Sequence, residues 1–132
     1  MTMGSRVRVL LSTCVVLVAG ALLTTACHSS PESQVRIVSG GSAEVGKKLI
    51  EHYGCGSCHE IPGVRGASGL VGPPLEKFSK RGYIAGLLRN TADNLTTWIS
   101  DPKRVEPRTD MPDLGVTPEQ ARNITAYLYT LR

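Results

Sequence analysis

The chain has 132 residues and a formal charge of +4 from 15 Lys and Arg against 11 Asp and Glu, a length that accommodates one domain. Arg6 and Arg8 supply two of those charges, so the part after Cys27 holds 13 Lys and Arg against the same 11 acids; that near-neutral balance predicts no nucleic-acid partner, since phosphate binding needs a dense basic face. One Phe and one Trp make a thin apolar inventory, and domains near this size need either efficient packing or a staple.

In chain order, Arg6 and Arg8 precede an uncharged, mostly apolar run from Val9 to Ala26, the basic and apolar regions of an export signal. The run ends in Leu23-Thr24-Thr25-Ala26-Cys27, which resembles a bacterial lipoprotein processing site, with Thr24 where an aliphatic residue usually stands. Three outcomes fit: a lipid on Cys27, an uncleaved membrane anchor, or cleavage to a soluble form. The run's 18 residues are borderline for a membrane span. All three outcomes place the remainder outside the cytoplasm. Residues 1–27 are thus expected to be a signal, lipoprotein or anchor segment. Residues 28–42, from His28 to Ser42, are rich in turn formers and read as a flexible tether of at most about 50 Å. Residues 43–132 are the domain.

A first helix is predicted from Ser42 or Ala43 to about Tyr53, with Ser42 as N-cap and Glu44 favouring the helix dipole. Val45, Leu49 and either His52 or Tyr53 give its apolar face. Cys55-Gly56-Ser57-Cys58-His59 follows, with the spacing of the c-type haem attachment motif. Two sulfurs so placed can each form a thioether to one vinyl group on the same porphyrin edge, and the next imidazole reaches the iron. A thioredoxin-like dithiol would need a βαβ setting, and structural zinc a second ligand pair; the other cysteines, Cys14 and Cys27, lie in the N-terminal segment.

From Ile61 to Pro74, glycines and prolines predict a loop. A second helix is predicted over 91–101, capped by Thr91 or Asp93, with Leu95, Trp98 and Ile99 inward and Pro102 as its stop. A third begins at Thr117-Pro118-Glu119 with proline at the first helical position and runs to the C-terminus, with Ala121, Ile124, Leu128 and Leu131 on one face. Met111 is the sole methionine after residue 3 and lies in a proline-flanked loop. It is the candidate sixth ligand, because a thioether opposite histidine raises the potential of haem iron and fills its last site. His52 and His28 are the rivals. Lys77, Lys80 and Arg81, and separately Lys103, Arg104 and Arg108, form basic groups that either steer an acidic partner or are solvated surface.

From Ser42 to Arg132 the sequence resembles the class I c-type cytochromes. The resemblance rests on Gly46 with Leu49 and Ile50, Cys55-x-x-Cys58-His59, Gly72-Pro73-Pro74-Leu75, Leu95-x-x-Trp98-Ile99, Asp101-Pro102-Lys103, Pro107-Arg108-Thr109-Asp110-Met111 and Ala126-Tyr127-Leu128. It implies an all-α fold of three main helices and loops wrapped around one covalent haem c, with the first and last helices crossing at Gly46 and Tyr127. It implies His59 and Met111 as axial ligands, the Pro73 carbonyl accepting from the free ring nitrogen of His59, Arg81 near a propionate, and Leu75 and Trp98 lining the pocket. Two departures stand out: Arg108 occupies a position commonly glycine, and Tyr53-Gly54 adds a residue before the motif relative to some members.

The expected function is that of an exported, membrane-tethered monohaem cytochrome carrying single electrons from a donor such as a quinol-oxidising complex to an acceptor such as a terminal oxidase. The alternatives are a haem peroxidase or gas sensor with a displaceable Met111, and a fixed electron-relay subunit of a larger complex.

Overall fold

The structure, a computed structural model, describes residues 37–132. The segment expected to be a signal or anchor (residues 1–27, with Cys14 and Cys27) and, of the expected tether, His28 to Arg36 lie outside the described residues. The last part of the tether is held by the domain: Val38 is buried in the core, and the Ser42 amide donates to Asn123 Oδ1 at 2.7 Å.

Helix α1 is Ala43–His52. The Ser42 hydroxyl caps it by accepting from the Val45 amide at 3.3 Å, which satisfies one of the first-turn donors that have no partner within the helix. Its buried stripe is Gly46 and Ile50, whereas Val45 is 42% exposed and His52 is exposed, so the face predicted through Val45 is rotated. Gly46 is the reason. A Cβ there would lie 2.0 Å from the Asn123 carbonyl oxygen, so the last helix presses its backbone against this point and turns residues 46 and 50 inward.

Helix α2 is Ala92–Ser100, capped by Thr91, with Leu95 and Ile99 buried. Helix α2 stops before Pro102, as expected, but a further short helix that was not foreseen begins at that proline. Asp101 closes α2, then caps a new short helix, α3 (Pro102–Val105), by accepting from the Arg104 amide at 3.0 Å with Pro102 at the first helical position. Helix α4 is Pro118–Leu128, opened by a capping box in which Thr117 and Gln120 satisfy each other's amides. It stops at Leu128 instead of reaching the C-terminus. Residues beyond it turn, with the Leu131 carbonyl accepting from both the amide (3.0 Å) and the hydroxyl (2.7 Å) of Ser79.

Helix α1 packs chiefly on α4, and α2 packs on α4 beside it. Two 3-10 turns, Cys55–Ser57 and Phe78–Lys80, and a small antiparallel hairpin, β1 (Tyr83–Ile84) with β2 (Leu88–Arg89), complete the described elements. The hairpin was not foreseen. Its turn places Ala85 and Gly86 at φ 50° and 72°, and an alanine at that conformation is not a turn signal. Among the described residues no helix is long and apolar enough to cross a membrane.

Candidate functional site

The Cys-x-x-Cys-His segment leaves α1 through Gly54, whose φ of 68° is the left-handed conformation glycine adopts without penalty. The 3-10 turn that follows closes with the amides of Cys58 and His59 both donating to the Cys55 carbonyl, at 3.2 and 3.0 Å. Both thiols are free and half-buried. Burial pushes the Cys55 thiol above its ordinary value, and proximity to Cys58 adds to this, partly offset by a bond from its own backbone.

The Gly-rich loop is sewn onto this turn. The Gly69 amide donates to the Gly56 carbonyl at 3.0 Å, Gly72 to Cys58 at 2.8 Å, and Leu75 to Glu60 at 2.8 Å. The glycines are required by the approach distance: a Cβ on Gly69 would lie 2.3 Å from the Ser57 carbonyl oxygen, and one on Gly72 would lie 2.3 Å from His59 Cε1. His59 Nδ1 lies 2.7 Å from the Pro73 carbonyl oxygen. A carbonyl can only accept, so His59 carries its proton on Nδ1 and leaves Nε2 as the nitrogen with a free lone pair. Such a contact fixes both tautomer and ring orientation.

Arg81 anchors the far end of the same loop. Its guanidinium donates to the Pro74 carbonyl and, at 3.3 Å, to that of Glu76, and it stacks 5.1 Å from the Phe78 ring centroid. Cys55, Cys58, His59, Pro73, Leu75 and Arg81 are thus drawn into one hydrogen-bonded unit. Trp98 is half-buried against the core on α2. Met111 is half-buried in the loop between α3 and α4.

The Met111 loop is laced to α3. Thr109 donates its amide to the Glu106 carbonyl at 3.0 Å, and its own carbonyl accepts from Lys103 Nζ. The Arg108 amide donates to Glu106 Oε1 at 3.0 Å, while the Arg108 guanidinium pairs with the same carboxylate at 3.5 Å. The Met111 amide donates to Thr109 Oγ1 at 3.2 Å. Arg108 is not among the residues with positive φ, so this loop needs no glycine there.

Sequence reading missed Asn90, which is 5% exposed. Its amide donates to the carbonyls of Phe78 and Arg81, both at 3.0 Å, and its oxygen accepts from the Tyr129 hydroxyl at 3.0 Å. It pins the Phe78–Arg81 turn, and so Arg81, to the end of α4. Asn90 stands just before the Thr91 cap, and nothing in its local pattern marks it as buried.

These residues fit a covalent haem. Two free thiols at the attachment spacing precede an imidazole with one nitrogen engaged by the Pro73 carbonyl. The half-buried Leu75 and Trp98 supply apolar surface. A mostly helical domain with this arrangement defines a haem c electron-transfer protein. The chain belongs to the cytochrome c family, whose sequence model matches residues 43–132, and its cofactor is one haem c held through Cys55 and Cys58. It is similar to cytochrome c oxidase subunit 2 of Alkalihalophilus pseudofirmus, 33% identical over 106 residues that cover 72% of this chain and 30% of that protein. It is also similar to cytochrome c oxidase subunit 2 of Bacillus sp. strain PS3, 33% identical over 89 residues covering 64% of this chain and 25% of that protein. The subunit of the same name from Bacillus subtilis is 28% identical over 89 residues, covering 66% of this chain and 24% of the relative. The chain therefore spans less than a third of the length of these relatives. No solved structure matches it significantly.

Proposed function

We propose that this electron-transfer cytochrome is a carrier with a closed, six-coordinate iron, bound by His59 and Met111, that works outside the cytoplasm on a membrane tether and delivers electrons to a terminal oxidase. In this reading residues 1–27 export and anchor the chain, by a lipid on Cys27 or an uncleaved helix. Residues 28–42 form the tether, and residues 43–132 carry the redox centre. The haem, when bound, supplies a one-electron ferric–ferrous couple.

The chain's own groups account for the rest. The observation that carries the reading is His59: with Nδ1 engaged by Pro73 at 2.7 Å, Nε2 is the donor left for iron, held in a fixed orientation. Met111 sits on a loop restrained by α3 and is the remaining soft donor of the domain. Leu75 and Trp98 would line the pocket of the cofactor, and Arg81 would lie near a propionate. With His59 and Met111 both holding the iron, substrate would have no entry, and in this reading the domain carries electrons and does not catalyse. The similarity to oxidase subunits is what favours an oxidase as acceptor.

Met111→Ala tests the ligand assignment. The oxidised wild-type protein is expected to show the weak far-red absorption of thioether-bound iron and to resist carbon monoxide when reduced. The variant is expected to lose the band, bind carbon monoxide rapidly and have a lower reduction potential. An unchanged spectrum would refute Met111 as a ligand. Mass spectrometry of the mature protein distinguishes a lipidated Cys27 from an intact N-terminus.

A further inference from the structure

Asn90 is 5% exposed, and a buried asparagine side chain needs partners for both its donors and its acceptor. Its amide nitrogen is committed twice, to the carbonyls of Phe78 and Arg81, each at 3.0 Å, and its oxygen accepts from the buried Tyr129 hydroxyl at 3.0 Å. Its backbone amide adds a fourth bond, to the Gly82 carbonyl at 2.9 Å. One residue thus grips the start of the 3-10 turn Phe78–Lys80, its closing residue Arg81 and the residue after that.

What the turn carries is the Arg81 side chain, which reaches back to the carbonyls of Pro74 and Glu76. Ordering so long a side chain costs rotamer freedom, and a backbone already pinned by Asn90 leaves less to be ordered. The Pro74–Leu75 peptide is then held at both ends, its carbonyl by Arg81 and its amide by donating to the Glu60 carbonyl at 2.8 Å. Pro74 passes the restraint on. Its ring fixes φ, so orienting the peptide after it also limits the peptide before it, which bears the Pro73 carbonyl that lies 2.7 Å from His59 Nδ1. The bonds run without a gap from Tyr129, at the end of α4, through Asn90, Arg81 and the two prolines to the imidazole.

We propose that Asn90 is a positioning residue for the iron-binding imidazole: by holding Arg81 it keeps the Pro73 carbonyl on His59 Nδ1, and so sets the orientation and donor strength of that ligand. An outer hydrogen bond of this kind raises a ligand's basicity. The proposal rests on the reading of His59 as an axial ligand.

The test is nuclear magnetic resonance of the full-length, haem-loaded protein in its reduced, diamagnetic state, reading the His59 Nδ1 proton against the backbone amides of α1 and α4. Asn90→Ala is expected to move the Nδ1 proton upfield, as a weakened hydrogen bond does. It is also expected to speed that proton's exchange with solvent about five- to tenfold more than it speeds the amides. Arg81→Ala, at a half-exposed position, leaves the buried Asn90 in place and is expected to have the same effect, so the question stands even where the Asn90 variant folds poorly. Adding Asn90→Ala to it should move the Nδ1 proton no further. Ser79→Ala is the structural control. It removes another bond between the same turn and the end of the chain, from Ser79 Oγ to the Leu131 carbonyl at 2.7 Å, and is expected to lower the melting temperature with the Nδ1 proton unmoved.

Equal acceleration of the Nδ1 proton and the amides would make Asn90 a stabilising residue only and overturn the proposal. So would an unmoved Nδ1 proton in Arg81→Ala, an effect of Asn90→Ala that survives in full in that background, or an equal shift from Ser79→Ala. Failure of the underlying reading has a different signature. If the carbon-bound ring protons of His59 lack the large upfield shift of an imidazole lying over a haem, His59 is not the ligand, and that reading falls together with this proposal.

Discussion

A methyl group on Gly72 would sit 2.3 Å from His59 Cε1 and 2.6 Å from Nδ1, inside any tolerable contact. The backbone there cannot retreat freely, because the Gly72 amide is bound to the Cys58 carbonyl at 2.8 Å. Gly72→Ala should therefore push the imidazole off its bond to Pro73 and destabilise the domain by about 1–3 kcal/mol, the usual cost of overpacking. Gly82→Ala is the control, since a Cβ at Gly82 meets nothing within 4 Å and should be close to neutral. Thermal melting of the haem-loaded variants, with the far-red band as reporter of the iron's ligands, checks both. Equal melting temperatures for the two would mean that Gly72 is not a packing constraint. The sequence signals Gly72 only as one member of a Gly-Pro-Pro run. Its need for glycine comes from a ring 13 positions earlier in the chain, which no local pattern encodes.

At the scale of elements, the stretch from Asp101 to Met111 behaves as a single capped and laced unit. Glu106 is its centre, accepting the Arg108 amide and pairing with the Arg108 guanidinium. Glu106→Ala removes the acceptor and the charge together, so the loop carrying Met111 should open more often. Imidazole binding to the oxidised protein should tighten by about five- to tenfold, the equivalent of one lost hydrogen bond of about 1 kcal/mol. Glu106→Gln keeps an acceptor and should recover most of the wild-type behaviour; if glutamine and alanine are equally permissive, the amide bond is not what holds the loop. The hairpin gives the opposite sign. Ala85 at φ 50° bears the left-handed penalty of roughly 1–2 kcal/mol, which Ala85→Gly removes at the cost of a more flexible unfolded chain. The net should be a gain of about 0.5–1 kcal/mol, read as a higher urea midpoint with an unchanged slope. The predicted helices lie close to where the sequence puts them, because their caps are local signals: Ser42, Thr91 and Thr117 each bond an amide three residues on. What local signals could not give was which face of α1 turns inward, set by α4 against Gly46, or that Pro102 restarts a helix, because Asp101 caps in two directions.

For the molecule as a whole, the readable part of the site was its chemistry, carried by Cys55, Cys58 and His59 in one contiguous motif. The unreadable part was its framework: Asn90 reaching the end of α4, and Ser79 holding the Leu131 carbonyl, both contacts between segments far apart in sequence. The buried apolar residues run from Val38 to Tyr129, yet Phe78 is the only phenylalanine among them, and Leu70, Val71, Leu87 and Leu114 stay exposed. A core this sparse leaves little margin in a domain whose total stability is expected to be about 5–15 kcal/mol. The covalent haem adds a large apolar body fixed at two points, binding to the folded state and cross-linking Cys55 to Cys58 through the ring. Cys55→Ser with Cys58→Ser removes both effects without disturbing the helix caps. The resulting chain should keep much of its far-ultraviolet helical signal but lose a sharp urea transition, with a lower midpoint and a smaller slope, as for a state whose secondary structure outlasts its packing. Circular dichroism and tryptophan fluorescence report the two levels separately, since Trp98 is half-buried on α2. Coincident, cooperative transitions at the haem-loaded midpoint would mean that the polypeptide core suffices alone and that the haem is cargo, not part of the fold.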